Sequence, residues 1–305
     1  MVPGGSGAML TLLDQGEIDI AFTVTDALFA AKSSGRNVKL IGTYIKSPLQ
    51  WGAFIAGKKF NNNNSNNNNN SNNNKIKEFK SFENCIKDSN RVGVSRIGSG
   101  SHTMAHYTSK LYGKDPKNIE IVVANNIDGL KNGVNDGKFD YFFWETFTTK
   151  PLVDKEELHE IGVVPTPWTA FSIVMSNLAE KQNKLNLIKT IFYPALEDCV
   201  RIFINEASDE YIKSNNENSI SRICKEYNHK KEDAIAWFQQ TEYSITNGAI
   251  NNNNNNNQLK ISPFSIDYKI TNDALNILKD ADLVPKDYRP EQLWDNDNNI
   301  SINKY

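Results

Sequence analysis

Residues 92–107 read VGVSRIGSGSHTMAHY, which sets Ser99, Gly100, Ser101 and His102 where an alternating apolar run gives way to a helical pattern. A helix that begins there points unpaired backbone N–H groups and the positive end of its dipole at whatever lies in front of it. Such a junction suits a nucleotide loop, a catalytic turn, an anion cradle or an ordinary cap. Spacing removes two of these. No G-x-x-x-x-G-K-[ST] run is present, because His102 follows Ser101, and G-x-G-x-x-G lacks its third glycine. The nucleophile elbow G-x-S-x-G fails too, since Ser99 sits in the shorter frame G-S-G. What remains is a helix start with three hydrogen-bonding side chains and bare backbone, fit for an anionic or polar ligand group. A plain serine N-cap is the competing reading. Residues 4–8, GGSGA, repeat the pattern at a second helix start, with Ser6 and Gly7 in the corresponding places.

His102 and His106 stand four apart, the helical spacing of two zinc ligands. Thr103 occupies the place of the glutamate in H-E-x-x-H, and no His or Cys cluster supplies a third ligand, so no metal or cofactor is expected. Four histidines in the whole chain also give no Cys-His or Ser-His-Asp set, and no catalytic residue is assigned. Trp144, Glu145 and Trp168 are more telling. Two indoles and a carboxylate could stack on and hydrogen-bond a flat or cationic ligand, against the alternative of core tryptophans beside a surface glutamate.

The elements that must position these residues follow from periodicity. Helices are expected over 8–16, closed by Gly16, and over 27–34, capped by Asp26 and ended by Gly35. Further helices are expected over 79–87, 102–111, 128–135, 185–205, 233–240 and 271–282. Strands are expected over 18–22, 38–42, 51–56, 91–95, 119–123 and 139–143. Strands that alternate with helices at this spacing predict an α/β fold with largely parallel sheets. Residues 14–25, DQGEIDIAFTVT, also echo residues 135–146, NDGKFDYFFWET, with Gly16, Asp19 and Thr25 matched by Gly137, Asp140 and Thr146. The shared logic is a glycine helix end, a tight turn and a buried strand. Two equivalent lobes with a ligand at their strand C-termini would explain the echo, because ligands of open α/β sheets sit there. Any two αβ units could also look alike.

Bulk properties narrow the class. The 305 residues carry 34 basic and 36 acidic side chains for a net charge of −2, so nothing calls for nucleic acid or an anionic membrane. Apolar runs are strand-length, far below the ~20 residues that span a bilayer. Cys85, Cys199 and Cys224 are scattered and odd in number, which fits a reducing, cytoplasmic setting. The start MVPGGSGAML has no basic stretch followed by an apolar one, so no signal peptide is expected. Two asparagine-rich tracts, 59–78 and 251–258, cannot bury apolar surface and are expected to be disordered insertions in exposed connections.

Together, GSGAMLTLLDQGEIDIAFTVTDAL, IGTYIKSPLQWG, VGVSRIGSGSHTMAHY, FDYFFWETFTTKPLVD and VVPTPW resemble the type II periplasmic-binding-protein-like family. The likeness is to its alkanesulfonate- and thiamine-pyrimidine-type branch, and most of all to a small, partly eukaryotic group within it. It is good over 4–168 and looser over the C-terminal ALNILKDADLVPKDYRPEQLWD. The resemblance implies two α/β lobes joined by crossing strands that close on a small molecule by hinge motion. It implies lobe one over 1–58, lobe two over 79–164, a mostly helical return to lobe one over 165–250, and a C-terminal helical segment over 259–305. Position by position, it places Ser6, Gly7, Thr25 and the strand end at Trp51 on the ligand face of lobe one. Ser99, Gly100, Ser101, His102, Trp144 and Glu145 fall on that of lobe two, with Trp168 at the hinge. Members of the family begin with a further strand and helix ahead of GSGAM, so the resemblance implies a first lobe truncated at its N-terminus. Exported bacterial relatives feed a transporter, whereas no export signal is visible here. The function implied is non-catalytic binding of a small polar or anionic solute, such as a sulfonate or a thiamine-type pyrimidine. The alternatives are an enzyme of thiamine-pyrimidine metabolism on the same fold, or a degenerate member without ligand. Pyrimidine synthases of that kind use a cysteine-rich iron-binding motif, and no clustered cysteines occur in this chain.

Overall fold

A computed structural model of the chain describes residues 5–57, 79–245, 264–297 and 299–304. Both asparagine-rich tracts lie outside the described residues. The N-terminal half runs α1 (Gly5–Gln15), β1 (Ile20–Val24), α2 (Thr25–Ser33), β2 (Val38–Ile45), β3 (Gln50–Ala56), α3 (Phe82–Asp88), β4 (Arg91–Val94), α4 (Gly100–Leu111), β5 (Glu120–Val123), α5 (Ile127–Asn135), β6 (Tyr141–Glu145) and α6 (Thr146–Asp154). Then come β7 (Leu158–Pro165), β8 (Phe171–Ser176), α7 (Asn177–Lys181), α8 (Lys184–Leu187), α9 (Tyr193–Glu206), α10 (Asp209–Ser214), α11 (Ser219–Tyr227), α12 (Lys231–Gln240), β9 (Ile266–Asp267), α13 (Tyr268–Asp280) and β10 (Ile302–Asn303).

Local chemistry explains most of these boundaries. Side-chain oxygens of Ser81, Ser99, Asn126, Ser176, Ser208 and Asn218 accept backbone N–H bonds at the starts of α3, α4, α5, α7, α10 and α11. The expected cap at Asp26 is not one. Val24 is the N-cap of α2, and Asp26 lies buried inside the first turn. The N–H of Thr25 is taken by Ala170 O at 3.1 Å, so the helix starts two residues earlier than expected. The expected helix over 185–205 is interrupted by one π turn, Ile188–Phe192, ahead of α9. Pro194, near the start of α9, has no N–H to give the preceding turn and crowds its carbonyl, so the ladder widens there.

The chain divides into two compact units. The first comprises Met1–Pro48, Trp168–Asn276 and Asp287–Tyr305; the second comprises Leu49–Pro167 and Ile277–Lys286. This moves the expected boundary at 58. β3 hydrogen-bonds to β6 and β7, so Gln50–Ala56 belongs with the second unit. Ten residues of the C-terminal segment, Ile277–Lys286, join that unit as well.

In the first unit the sheet order is β1-β8-β2, with β8 antiparallel to both neighbours. In the second it is β5-β4-β6-β3-β7; β4 is parallel to β5 and β6, while β3 is antiparallel to β6 and β7. The first sheet is therefore antiparallel and the second mixed, where largely parallel sheets are expected from the sequence. Strands that enter after a long excursion, such as β8, pair with no helical crossover to impose a parallel direction. β9 and β10 form a small parallel pair in the first unit.

The second unit is built around rings. Phe54, Phe139, Phe142, Leu130, Val134 and Leu158 form a buried cluster beneath α5. Phe139 lies between two glycines: a Cβ on Gly93 of β4 would stand 2.3 Å from its Cε2, and one on Gly133 of α5 would stand 2.4 Å from its Cε1. The opposite face carries Tyr141, Phe143 and Glu145, which alternate with the first set along β6. There Phe82 of α3 meets Phe143 at 6.5 Å between ring centroids, and Tyr141 faces Ser109 of α4. In the first unit, Lys39 of β2 is buried and ion-paired with Glu180 and Asp297, which ties α7 and the C-terminal segment to the sheet.

Candidate functional site

The echo in the sequence is an echo in the backbone. After α1, the N–H of Glu17 donates to Leu12 O (2.9 Å) and that of Gly16 to Leu13 O (3.1 Å), with Gly16 at φ +75°. After α5, the N–H of Lys138 donates to Gly133 O (2.9 Å) and that of Gly137 to Val134 O (3.2 Å), with Gly137 at φ +67°. Both are Schellman closures, and only glycine takes that left-handed position without strain. Each closure is followed by a five-residue strand and then by a helix that begins at Thr25 or Thr146. One such module lies in each unit.

In the second unit, the module's strand β6 ends at the same sheet edge as β4, and both carry helix starts there. Ser99 caps α4: its hydroxyl donates to Arg96 O (2.7 Å) and accepts from the N–H of His102 (3.4 Å). Ser101 is 1% exposed, and its Oγ accepts the N–H of Ser95 (3.0 Å) and lies 3.0 Å from Ser99 Oγ. These two hydroxyls are thus spent on the loop itself. The N–H groups of Gly100 and Ser101 are not: neither has a hydrogen-bond partner among the described residues, and both residues are buried.

His102 Nδ1 accepts the N–H of Gly98 at 3.2 Å, so its proton sits on Nε2. Burial, and then the neighbouring His106, lower its pKa to about 4. His106 packs ring to ring against it with centroids 4.5 Å apart. Among the described residues, no group of three or more His, Cys, Asp or Glu side chains could hold a metal ion.

Glu145 ends β6 and caps α6. One carboxylate oxygen accepts the N–H of Phe147 (2.9 Å), the other that of Thr148 (2.8 Å). Burial pushes its carboxyl up, while these N–H groups pull the other way. Trp51 is its direct cross-strand partner in β3, so the two side chains project from the same face of the sheet. The sequence reading put Trp51 in the other lobe; the pairing of β3 puts it here. Trp51 is 6% exposed, and its indole N–H has no partner among the described residues. A buried donor left unmade costs ~1–3 kcal/mol, so an unspent one at a sheet edge asks for an acceptor. Trp144, next along β6, points to the opposite face and packs half-buried against the phenylalanine cluster. It is brought to the edge but not to the Trp51 face.

In the first unit, Ser6, Gly7, Thr25 and Trp168 gather at one edge of the three-stranded sheet, where β1 and β2 end and β8 begins. Their polar groups are largely committed. Ser6 Oγ accepts the N–H of Val24 (3.0 Å), Gly7 O accepts the hydroxyl of Thr11 (3.0 Å), and Thr25 Oγ1 lies 2.9 Å from Ser172 Oγ. Trp168 is buried. The hydroxyl of Thr23, fully buried in β1, has no partner among the described residues; neither periodicity nor motif points to it.

Comparison with known proteins follows the same lines. The family model described as Ca3427-like PBP matches residues 71–164. The solved structure of the Candida albicans CA3427 gene product, described as having the generic periplasmic binding protein fold, is 25% identical. That match covers 99% of this chain and 85% of that one, with a TM-score of 0.71. The aliphatic sulphonate binding protein SsuA from Escherichia coli is 13% identical, with 95% and 79% covered and a TM-score of 0.57. SsuA from Xanthomonas axonopodis pv. citri, solved bound to MOPS, is 11% identical, with 93% and 82% covered and a TM-score of 0.63. No curated protein sequence matches the chain significantly. Among the described residues, no helix is long and apolar enough to cross a membrane. With its two α/β units, one copy of the module in each and these relatives, the chain has the type II periplasmic-binding-protein-like fold.

Proposed function

We propose that the chain is a non-catalytic binding protein for a small polar or anionic molecule, seated at the strand-end edge of the second unit. The observation that carries this is a surplus of donors. The indole N–H of Trp51 and the N–H groups of Gly100 and Ser101 are unspent in buried residues, on the face where α4 packs and Glu145 projects. Donors without acceptors favour a ligand that brings oxygens or ring nitrogens, and a helix start favours negative charge. Sulfonates are the first class to try, because two relatives of this fold are named for sulfonate binding or were solved with MOPS. Aminopyrimidines are the second. Glu145 would meet a ligand's own donor, and Ser99, His102 and Trp144 would shape the seat rather than touch it. Ser6, Gly7, Thr25 and Trp168 would line the strand-end edge of the first unit's own sheet. The small number and scatter of Cys85, Cys199 and Cys224 along the chain favour a reducing, cytoplasmic setting for this binding.

The test is calorimetric titration of the full chain with MOPS, a short alkanesulfonate, inorganic phosphate and an aminopyrimidine, repeated with Trp51→Phe. Phenylalanine keeps the ring and removes the donor. One molecule should bind per chain, and Trp51→Phe should weaken binding ~5–10-fold, the worth of one buried hydrogen bond. Equal affinity in the variant, or no binding across the panel, would overturn the assignment.

A further inference from the structure

His102 and His106 have the spacing of a metal pair, but their hydrogen bonds describe a different device. A backbone N–H can only donate, so the bond from Gly98 fixes His102 with a bare Nδ1. A carbonyl can only accept, so the 3.2 Å contact between His106 Nδ1 and Ala281 O fixes His106 with a proton on Nδ1. The two rings, in contact and tilted by 55°, therefore hold opposite tautomers. One end of this pair grips the loop ahead of α4. The other grips a segment 175 residues further along the chain.

Both ends are built for it. Ala281 follows α13 in a tight closure: its own N–H donates to Ile277 O (3.0 Å), the N–H of Leu283 donates to Leu278 O (2.9 Å), and Asp282 turns at φ +59°. That closure belongs to the second unit, as does α4. At the loop end, Gly98 sits at φ +76° with nothing within 4 Å of where a Cβ would stand, and Gly100 follows two residues later. Glycines this close together leave the loop soft unless its backbone is held. Ser99 and Ser101 hold Ser95 and Arg96 at its start, and His102 holds Gly98 at its tip.

We propose that His102 is a positioning residue, seated by His106 on Ala281, whose Nδ1 sets the loop that aims the Gly100 and Ser101 N–H groups. The proposal rests on the binding reading given above for what those N–H groups meet, but its first readout needs no ligand. Asparagine places its Oδ1 close to where Nδ1 stands and can accept from Gly98, whereas glutamine places its Oε1 at the Nε2 position and cannot. Amide hydrogen exchange at Gly98, followed by NMR in the full chain, separates them. Exchange should quicken ~10-fold in His102→Gln and His102→Ala and return to near the wild-type rate in His102→Asn. MOPS affinity should follow the same order. His106→Phe keeps a ring but loses the anchor on Ala281, and should quicken Gly98 exchange as well. Where His102→Ala does not fold, the Asn and Gln variants decide the matter alone. Equal Gly98 exchange in those two overturns the proposal. Sorting of exchange with no MOPS binding by wild type overturns the binding reading and supports the loop assignment.

Discussion

Replacing Gly93 with alanine should destabilise the second unit by about 3 kcal/mol, near the upper end for overpacking a core. The added methyl would stand 2.3 Å from Phe139 Cε2 and 2.5 Å from Cζ, where ordinary contact begins at 3.4 Å. The ring would have to retreat by about 1 Å, yet packing inside a protein leaves no such slack. Gly133 closes the other side, where its own missing methyl would lie 2.4 Å from Cε1. Phe139 is 2% exposed and also meets Phe142 edge-on at 6.4 Å between centroids, so no outward path exists either. Urea unfolding followed by tryptophan fluorescence reports on this unit through Trp51 and Trp144, and the midpoint should fall without a large change in slope. The decisive comparison is Gly93→Ala combined with Phe139→Leu. Leucine vacates the ring's edge, so the pair should cost at least ~1 kcal/mol less than the sum of the single changes. A loss below ~0.5 kcal/mol in Gly93→Ala, or simple additivity in the double variant, would refute the steric reasoning.

Three further outcomes follow from the site. His102 has a pKa of about 4 in the fold against 6.5 in the unfolded chain, so the unfolded state takes up its proton first as pH falls. Stability should therefore decline from about pH 6.5 down to about pH 4 by roughly 2 kcal/mol after allowing for partial exposure, and His102→Asn should flatten that decline in urea titrations. His106, lowered by burial, adds in the same direction; Asp282, itself paired with Lys286 and Lys117, opposes it. Ser101→Ala removes the acceptor of the Ser95 N–H and should cost ~1–3 kcal/mol in thermal or urea unfolding, since that donor is left buried and unmet. Trp51→Phe should leave the ligand-free protein within ~0.5 kcal/mol of wild type or slightly more stable, because the donor it removes has no partner to lose.

What could be read from sequence was whatever is encoded locally. Gly16 and Gly137 announced two helix ends because the left-handed turn they close has one good residue type. The serine caps and the strand-to-helix junction at Ser99 were legible for the same reason. Asp26 misled because side-chain type suggests a cap, while the observed start is decided by a distant acceptor, Ala170 O. Sheet direction was lost likewise: nothing near β8 says that it inserts between β1 and β2, and nothing near β3 says which sheet it joins. Trp51 was picked out but assigned to the wrong unit, and its unspent N–H depends on what fails to approach it in three dimensions. Ser99, Ser101 and His102 are expected from the sequence at a helix start and on a ligand face; the structure puts them at the start of α4, where each accepts a loop N–H, a partnership that side-chain type alone does not reveal.

The order β1-β8-β2 sets a schedule for synthesis on the ribosome. β1 and β2 are finished early, at Val24 and Ile45, but among the described residues neither pairs with the other; both pair with β8, which ends at Ser176, and β2 also bridges at Ile45 to the still later Tyr243. All five strands of the second unit emerge in between, and they pair only among themselves. The unit that starts second in the chain is therefore the one whose sheet can close first. The opening residues must wait, with two unpaired apolar strands exposed, until the chain returns. Chains arrested far enough past Pro167 for β7 to clear the ribosome, but before β8 emerges, should resist protease over 79–167 while residues before Pro48 are cut. The same waiting period makes β1 and β2 the segments most in need of a chaperone.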